Sequence, residues 1–223
     1  MREFCAFFGI RKGVTALIGG GGKTSTLYAL AKHLKTQGSV IVCTSTHILC
    51  PPQYPYRAHI DAPLAFGEVV STGTFDGRKL SMPEQSFSEL SALADYVLVE
   101  ADGSRQLPLK AHAAHEPVIP EQANTVLVLI GIDGLHRPIQ EVAHRPELYA
   151  SICGCSVDTI VTPEMIAAVV STYPRCDGVV INKADDEARI ADALKLAALF
   201  SCPVAVTAWQ TAHPIQAYRR NNP

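Results

Sequence analysis

Apolar positions along this chain alternate between two periods. Six short, near-continuous apolar runs occur at Val14–Ile18, Val40–Cys43, Tyr96–Val99, Thr125–Ile130, Gly178–Ile181 and Pro203–Val206. Such runs are typical of strands covered on both faces in a parallel sheet. Between them lie stretches of helical period. Leu27, Leu30, Ala31 and Leu34 recur at i, i+3, i+4 and i+7, with Gly38 where a C-terminal cap belongs. A second helix is predicted from Asp186 to Phe200, with Ile190, Ala193, Leu194 and Ala197 on one face and acids in its first turn. Residues 51–90 are rich in Pro, Gly and Ser, which predicts an irregular excursion with a hairpin around Gly67–Leu80. The segment from Val161 to Asp177 is short for a helix plus a full loop. Strands alternating with helices predict an α/β sandwich with a mainly parallel sheet.

Composition narrows the class. The chain has 223 residues, 48% hydrophobic and 18% charged, with a net charge of -2. This excludes disordered, collagen-like and coiled-coil architectures and argues against nucleic acid or an anionic membrane as the main partner. No run reaches the roughly 18 consecutive apolar residues of a membrane span, and the apolar stretch at Phe4–Phe8 is too short for a signal peptide. Seven cysteines without a framework spacing predict a reduced, cytoplasmic chain, with Cys43 and Cys202 as small buried hydrophobes.

The chemistry centres on Gly19-Gly20-Gly21-Gly22-Lys23-Thr24, after one predicted strand and before one predicted helix. Glycines let backbone N–H groups close around phosphate oxygens, and a helix N-terminus adds partial positive charge. Lys23 is expected to reach the β- and γ-phosphates and Thr24 to ligate Mg²⁺, with Ser25 a further cofactor-binding candidate. Leu17 stands where the longer G-x-x-x-x-G-K-[ST] pattern has its first glycine, so this is the shorter G-x-x-G-K-T version, similar to that of Mur ligases. The expected fold is thus P-loop NTPase-like: a three-layer sandwich forming a single nucleotide-binding domain over residues 1–223.

Asn182-Lys183-Ala184-Asp185 matches N-K-x-D at the carboxyl end of a predicted strand, where doubly wound sheets bind ligands. In GTP-binding proteins this motif reads guanine through the Asp, while the Lys packs along the base. The same residues also make a plain helix start, with Asp185 as the cap. Thr207-Ala208 occupies the place of the GTPase Ser-Ala dipeptide, whose backbone reaches the guanine oxygen. GTP is favoured over ATP. On the metal side, Glu100 ends a strand and Asp102 follows two residues later. Glu100 is expected to hold Mg²⁺ with Thr24, Asp102 to position a nucleophile, and Thr44-Ser45-Thr46 to add hydroxyls.

Several of these segments, in order, resemble the YqeC family: Gly19–Thr24, Thr44–His47, Val99–Ser104, Leu107–Lys110, His115–Pro120, His144–Glu147 and Asn182–Asp185. The resemblance implies an accessory protein in the maturation of a selenium-dependent molybdenum hydroxylase, with that metalloenzyme or a maturation protein as partner.

Arg105, Lys110, His112, His115 and Glu116 cluster after the Glu-Ala-Asp-Gly-Ser motif, and His136-Arg137 and His144-Arg145 follow on later loops. They are candidates for the wall of a second-substrate or partner pocket, or else a set of solvated loop charges. Cys153-Gly154-Cys155 lacks the spacing and partner pair of a zinc site. Three functional classes remain open: a slow Mg²⁺-dependent GTPase or ATPase, a small-molecule kinase, and a nucleotide-gated carrier of a metal, selenium species or cofactor.

Overall fold

The computed structural model describes residues 1–220, and its backbone divides into two compact units. The first comprises Met1–Ile18, Thr24–Gly103 and Pro117–Val126; the second comprises Gly19–Lys23, Ser104–Glu116 and the chain from Leu127 onward. In the first run α1 (Arg2–Phe7), β1 (Gly13–Gly19), α2 (Lys23–Leu34), β2 (Val40–Thr44), β3 (His47–Leu49), β4 (Tyr56–Arg57), β5 (Val69–Thr72), β6 (Thr74–Phe75), β7 (Lys79–Ser81), α3 (Phe87–Leu93) and β8 (Tyr96–Glu100). The sheet order here is β1-β8-β2-β5-β4, every pair parallel. Strands β2 and β8 are buried along their whole length, and Leu27, Leu30, Ala31 and Leu34 of α2 are at most 1% exposed, as the apolar pattern predicts.

The excursion is more ordered than its composition suggests. The expected hairpin is β6–β7, extended by β3 into a small antiparallel sheet. Its turn is held by Asp76 Oδ1, which accepts from the amides of Arg78 and Lys79. Strand β5, by contrast, joins the main sheet beside β2. It reads Val-Val-Ser-Thr with its last three residues buried, and it pairs with β2 on one side and β4 on the other.

The second unit carries β9 (Leu109–Lys110), most of β10 (Ala123–Gly131), a 3₁₀ turn at Ile132–Gly134, α4 (Ile139–Val142), β11 (Ala143–His144), α5 (Pro146–Cys153), α6 (Pro163–Ser171), β12 (Gly178–Asn182), α7 (Glu187–Ala197), β13 (Val204–Thr207) and β14 (Ile215–Arg219). Strands β10, β12 and β13 are parallel neighbours, and β14 closes the edge antiparallel to β13. The architecture is mixed α/β with mainly parallel strands and flanking helices, as the pattern predicts. No helix among the described residues is long and apolar enough to cross a membrane.

Three local expectations change. Helix α6 fits within the segment read as too short, because Thr162 caps it and Pro163 starts it. On α7 the buried face is Ala193, Leu196 and Ala197, whereas Leu194 is exposed, and the cap is Asp186 rather than Asp185. Gly38 lies beyond the end of α2 as a close-approach glycine: a Cβ there would collide with the Asp95 carboxylate.

That carboxylate organises three strand starts. Asp95 Oδ2 accepts from the Ser39 amide at 2.9 Å, and the Asp95 amide donates to Ser39 Oγ at 3.0 Å. The Asp95 carbonyl accepts from Gly13 N at 2.8 Å, and Lys12 Nζ lies 2.6 Å from Oδ1. The hydrogen bond from Lys12, followed by that from the Ser39 amide, holds the Asp95 carboxyl below its ordinary value. Asp95→Ala leaves the buried Ser39 amide unsatisfied, and urea unfolding is expected to show a loss of about 1–3 kcal/mol at neutral pH. A depressed carboxyl contributes stability above its unfolded value of about 3.9 and loses it as pH falls through the folded value. The difference between wild type and Asp95→Ala is therefore expected to shrink below about pH 4.

Candidate functional site

In the second unit the glycine loop is pinned by its own backbone. Gly20 N donates to Leu129 O at 3.0 Å and Gly21 N to Leu107 O at 3.1 Å. Two of the loop amides thus face protein. Gly21 packs against the Gly131 backbone so closely that a Cβ would collide with it, and at Gly22, with φ +122°, a Cβ would meet the Asn182 amide. Lys23 is 3% exposed, and its Nζ donates to Gly19 O at 2.6 Å, which folds the ammonium back over the loop.

Distant residues converge on this loop. Asn182, at the end of β12, is buried and donates from Nδ2 to Gly21 O at 2.8 Å. Its Oδ1 accepts from Thr207 Oγ1 at 3.1 Å, and Thr207 O accepts from Ala184 N at 3.1 Å. Lys183 adopts φ +66° and pairs with Asp133 Oδ2 at 2.7 Å. Asp185 is exposed and ion-paired to Arg189 one turn on in α7. Ala208 N donates to Pro214 O at 2.8 Å, so this amide is engaged inside the protein.

In the first unit, register places Glu100 opposite both Leu17 of β1 and Thr44 of β2, at the carboxyl end of the sheet. Its Oε2 accepts from Thr24 Oγ1 at 3.0 Å, and its carbonyl accepts from Thr44 Oγ1 at 2.7 Å. Ser45 N donates to the same carbonyl at 3.2 Å, and Ser45 Oγ to Val118 O. Glu100 is 8% exposed, so it is no solvated loop acid, and Asp102 is fully buried. Thr24 and Ser25, in the first turn of α2, are exposed. A hydroxyl and a carboxylate side by side form a hard oxygen pair of the type Mg²⁺ takes.

The later basic segment resolves into distinct contacts. Glu116 Oε2 meets Lys110 Nζ at 3.0 Å and Arg145 Nη2 at 2.7 Å, while Arg105 and His115 are exposed. His136 pairs with Asp192 at 2.9 Å, and the His112 ring lies 4.0 Å from that of Tyr173. Cys153 and Cys155 are half-buried, and among the described residues no group of three or more His, Cys, Asp or Glu is arranged to hold a metal. Cys43 is buried as expected; Cys202 is half-buried, with its sulfur 3.7 Å from that of Cys176. Sequence reading did not pair Cys176 with Cys202, because neither spacing nor period marks residues that meet only across neighbouring strands.

Parallel strand order, a glycine loop between β1 and α2, and an acid at a strand's carboxyl end define a mixed α/β protein of the P-loop NTPase-like kind. The family model described as YqeC protein matches residues 15–147. The uncharacterized protein YqeC of Escherichia coli (strain K12) is 31% identical over 175 residues, covering 71% of this chain and 68% of its own. The chain belongs to the YqeC family. No solved structure matches it.

The crowding around the loop sets a direct test. Gly22→Ala forces a side chain into positive φ against Asn182 and is expected to cost about 1–3 kcal/mol in thermal or urea unfolding. Gly103→Ala, where an added Cβ meets nothing within 4 Å, is expected to leave stability within about 0.5 kcal/mol of wild type.

Proposed function

We propose that this chain is a Mg²⁺-dependent P-loop nucleotide-binding protein, a slow nucleoside triphosphatase that prefers GTP to ATP. The observation that carries the reading is the 2.8 Å hydrogen bond from Asn182 to Gly21 O, across 161 positions of sequence. It favours one ligand held at both ends, with phosphates at the glycine loop and the base at Asn182–Asp185. Lys23 neutralises charge developing on the transferred phosphoryl group, and the first amides of α2 orient the phosphates. In the first unit Thr24 and Glu100 would hold Mg²⁺, which would supply charge neutralisation for phosphoryl transfer.

Asp102 is the residue assigned to position the attacking group. Asn182 braces the loop, and Asp185 turns from Arg189 to read guanine, with Lys183 packing along the base. Thr207 supports Asn182. The amide of Ala208 contributes only if it leaves Pro214, so base preference rests chiefly on Asp185. Turnover is slow because no arginine finger or activating Gln is identified. The client, as the resemblance implies, is a selenium-dependent molybdenum hydroxylase or one of its maturation proteins. A small-molecule kinase is the second reading, favoured by the ion cluster around Glu116.

Calorimetric titration of non-hydrolysable GTP and ATP analogues with Mg²⁺ tests the proposal. The GTP analogue is expected to bind about tenfold or more tightly than the ATP analogue, and Asp185→Asn to erase that difference. Lys23→Ala is expected to weaken both by about 10- to 100-fold. Binding of neither nucleotide overturns the reading. Equal binding that is indifferent to Asp185 reduces N-K-x-D to a loop brace and leaves the kinase.

A further inference from the structure

A second concentration of charge lies within the second unit, on a different scaffold. The β9–β11 ladder pairs Leu109 with Ala143 and Lys110 with His144, and Ala111 N donates to His144 O at 3.1 Å. This fixes Lys110 beside His144 and leads directly into Arg145. Tyr173 Oη adds a hydrogen bond to Lys110 O at 2.7 Å.

The cations share one oxygen. Glu116 Oε2 accepts from Lys110 Nζ at 3.0 Å and from Arg145 Nη2 at 2.7 Å. Side-chain exposure is 0% for Lys110, 12% for Glu116 and 29% for Arg145, so Arg145 is the most exposed member of the three. An arginine edge presents two parallel N–H donors, Nε and Nη2, that match the two oxygens of a carboxylate. Glu116 takes only Nη2. Arg145 Nε is buried and without a hydrogen-bond partner. A buried donor left open is costly, and an acceptor from outside would fill it.

The backbone supports the same reading. Arg145 sits at φ 65° and ψ 63°, a left-handed conformation that non-glycine residues hold only when their surroundings impose it. Arg105 and Gln106 are also at positive φ. His144 is pushed toward its neutral form, first by burial and then by the charges of Lys110, Arg145 and Arg105, with Glu116 opposing. The local field is therefore positive and attracts an anion.

We propose that Arg145 and Lys110 form a second ligand site, for the carboxylate of a small molecule, in which Glu116 is an internal stand-in. On binding, the ligand's two oxygens take Nε and Nη2 of Arg145 and displace the Glu116 carboxylate. No covalent step is involved. The site is independent of the nucleotide reading, and the probe chosen carries neither phosphate nor base.

The test is titration of succinate into the full chain, followed through the Arg145 Nε–H resonance, with chloride at matched ionic strength as control. Wild type is expected to show a saturable shift with succinate and none with chloride. Glu116→Gln, which removes the competing charge, is expected to bind succinate about tenfold more tightly. Adding Arg145→Gln to that variant abolishes the response, and Lys23→Ala leaves it unchanged. No shift in either wild type or Glu116→Gln, or an equal shift with chloride, overturns the proposal and leaves a plain ion triad. Loss of the response in Lys23→Ala also overturns it, by assigning succinate to the glycine loop. Should Glu116→Gln fail to fold, the wild-type titration decides alone. Failure of GTP or ATP to bind touches none of these outcomes.

Discussion

The hydrogen bond between the Asn182 amide and the Gly21 carbonyl is the constraint on which the second unit is arranged. It is buried, so breaking it strands a donor and an acceptor away from water. Asn182 can make it only because β12 pairs with β10 in a register that sets Asn182 opposite Gly131, the residue against which Gly21 packs. The loop is thereby gripped on two sides, by the end of β10 and by the Leu107–Pro108 backbone, before any ligand is considered. Glycine at positions 21 and 22 is demanded by this packing alone. A glycine-rich loop that is held by its own scaffold costs little to reorganise when it acts, which is the physical content of preorganisation.

Charge is spent sparingly inside this protein and nearly always at the carboxyl ends of strands or just beyond them. Among the described residues, Lys23, Glu100, Asp102 and Lys110 are the buried side chains of formal charge. Each would be strongly unfavourable if left without compensation. Three of them show how compensation is achieved: Gly19 O for Lys23, Thr24 for Glu100, and Glu116 for Lys110. None of these partners is a neighbour that apolar burial alone would supply. Structural stability does not require such pairs, since apolar replacements can be equally stable. Their position therefore directs attention to chemistry, whereas the broad apolar surfaces of β2, β8 and α2 account for the fold.

The apolar runs and the helical period were enough to locate six strands of the parallel sheets and both α2 and α7, because burial on two faces leaves a continuous apolar signature and burial on one face leaves a period of 3.6. Short elements escaped. Strand β5 carries only two apolar residues and is a strand because β2 and β4 complete its ladder; α6 is defined by its cap and proline more than by length. The buried face of α7 turned by about one position from the expected one, since Leu194 is exposed and Leu196 buried. Periodicity specifies that a face exists, and the neighbouring element selects which face it is.

The candidate site divides in the same way. Residue types and local order determined that Gly19–Thr24 joins a strand to a helix, that Glu100 ends a strand and that Asn182–Asp185 follows one, because each is a short-range pattern written within a few positions. Only the tertiary structure decided that Asn182 closes on Gly21, that Thr24 meets Glu100, that Ala208 is engaged with Pro214 and that Glu116 is shared by Lys110 and Arg145. Most of these contacts join residues many positions apart, through strand register and loop closure. Even the six-residue separations of Ala208 from Pro214 and Lys110 from Glu116 depend on how the chain turns between them. Register and turn geometry are set by hydrogen bonding and packing among whole elements, which no local window of sequence contains.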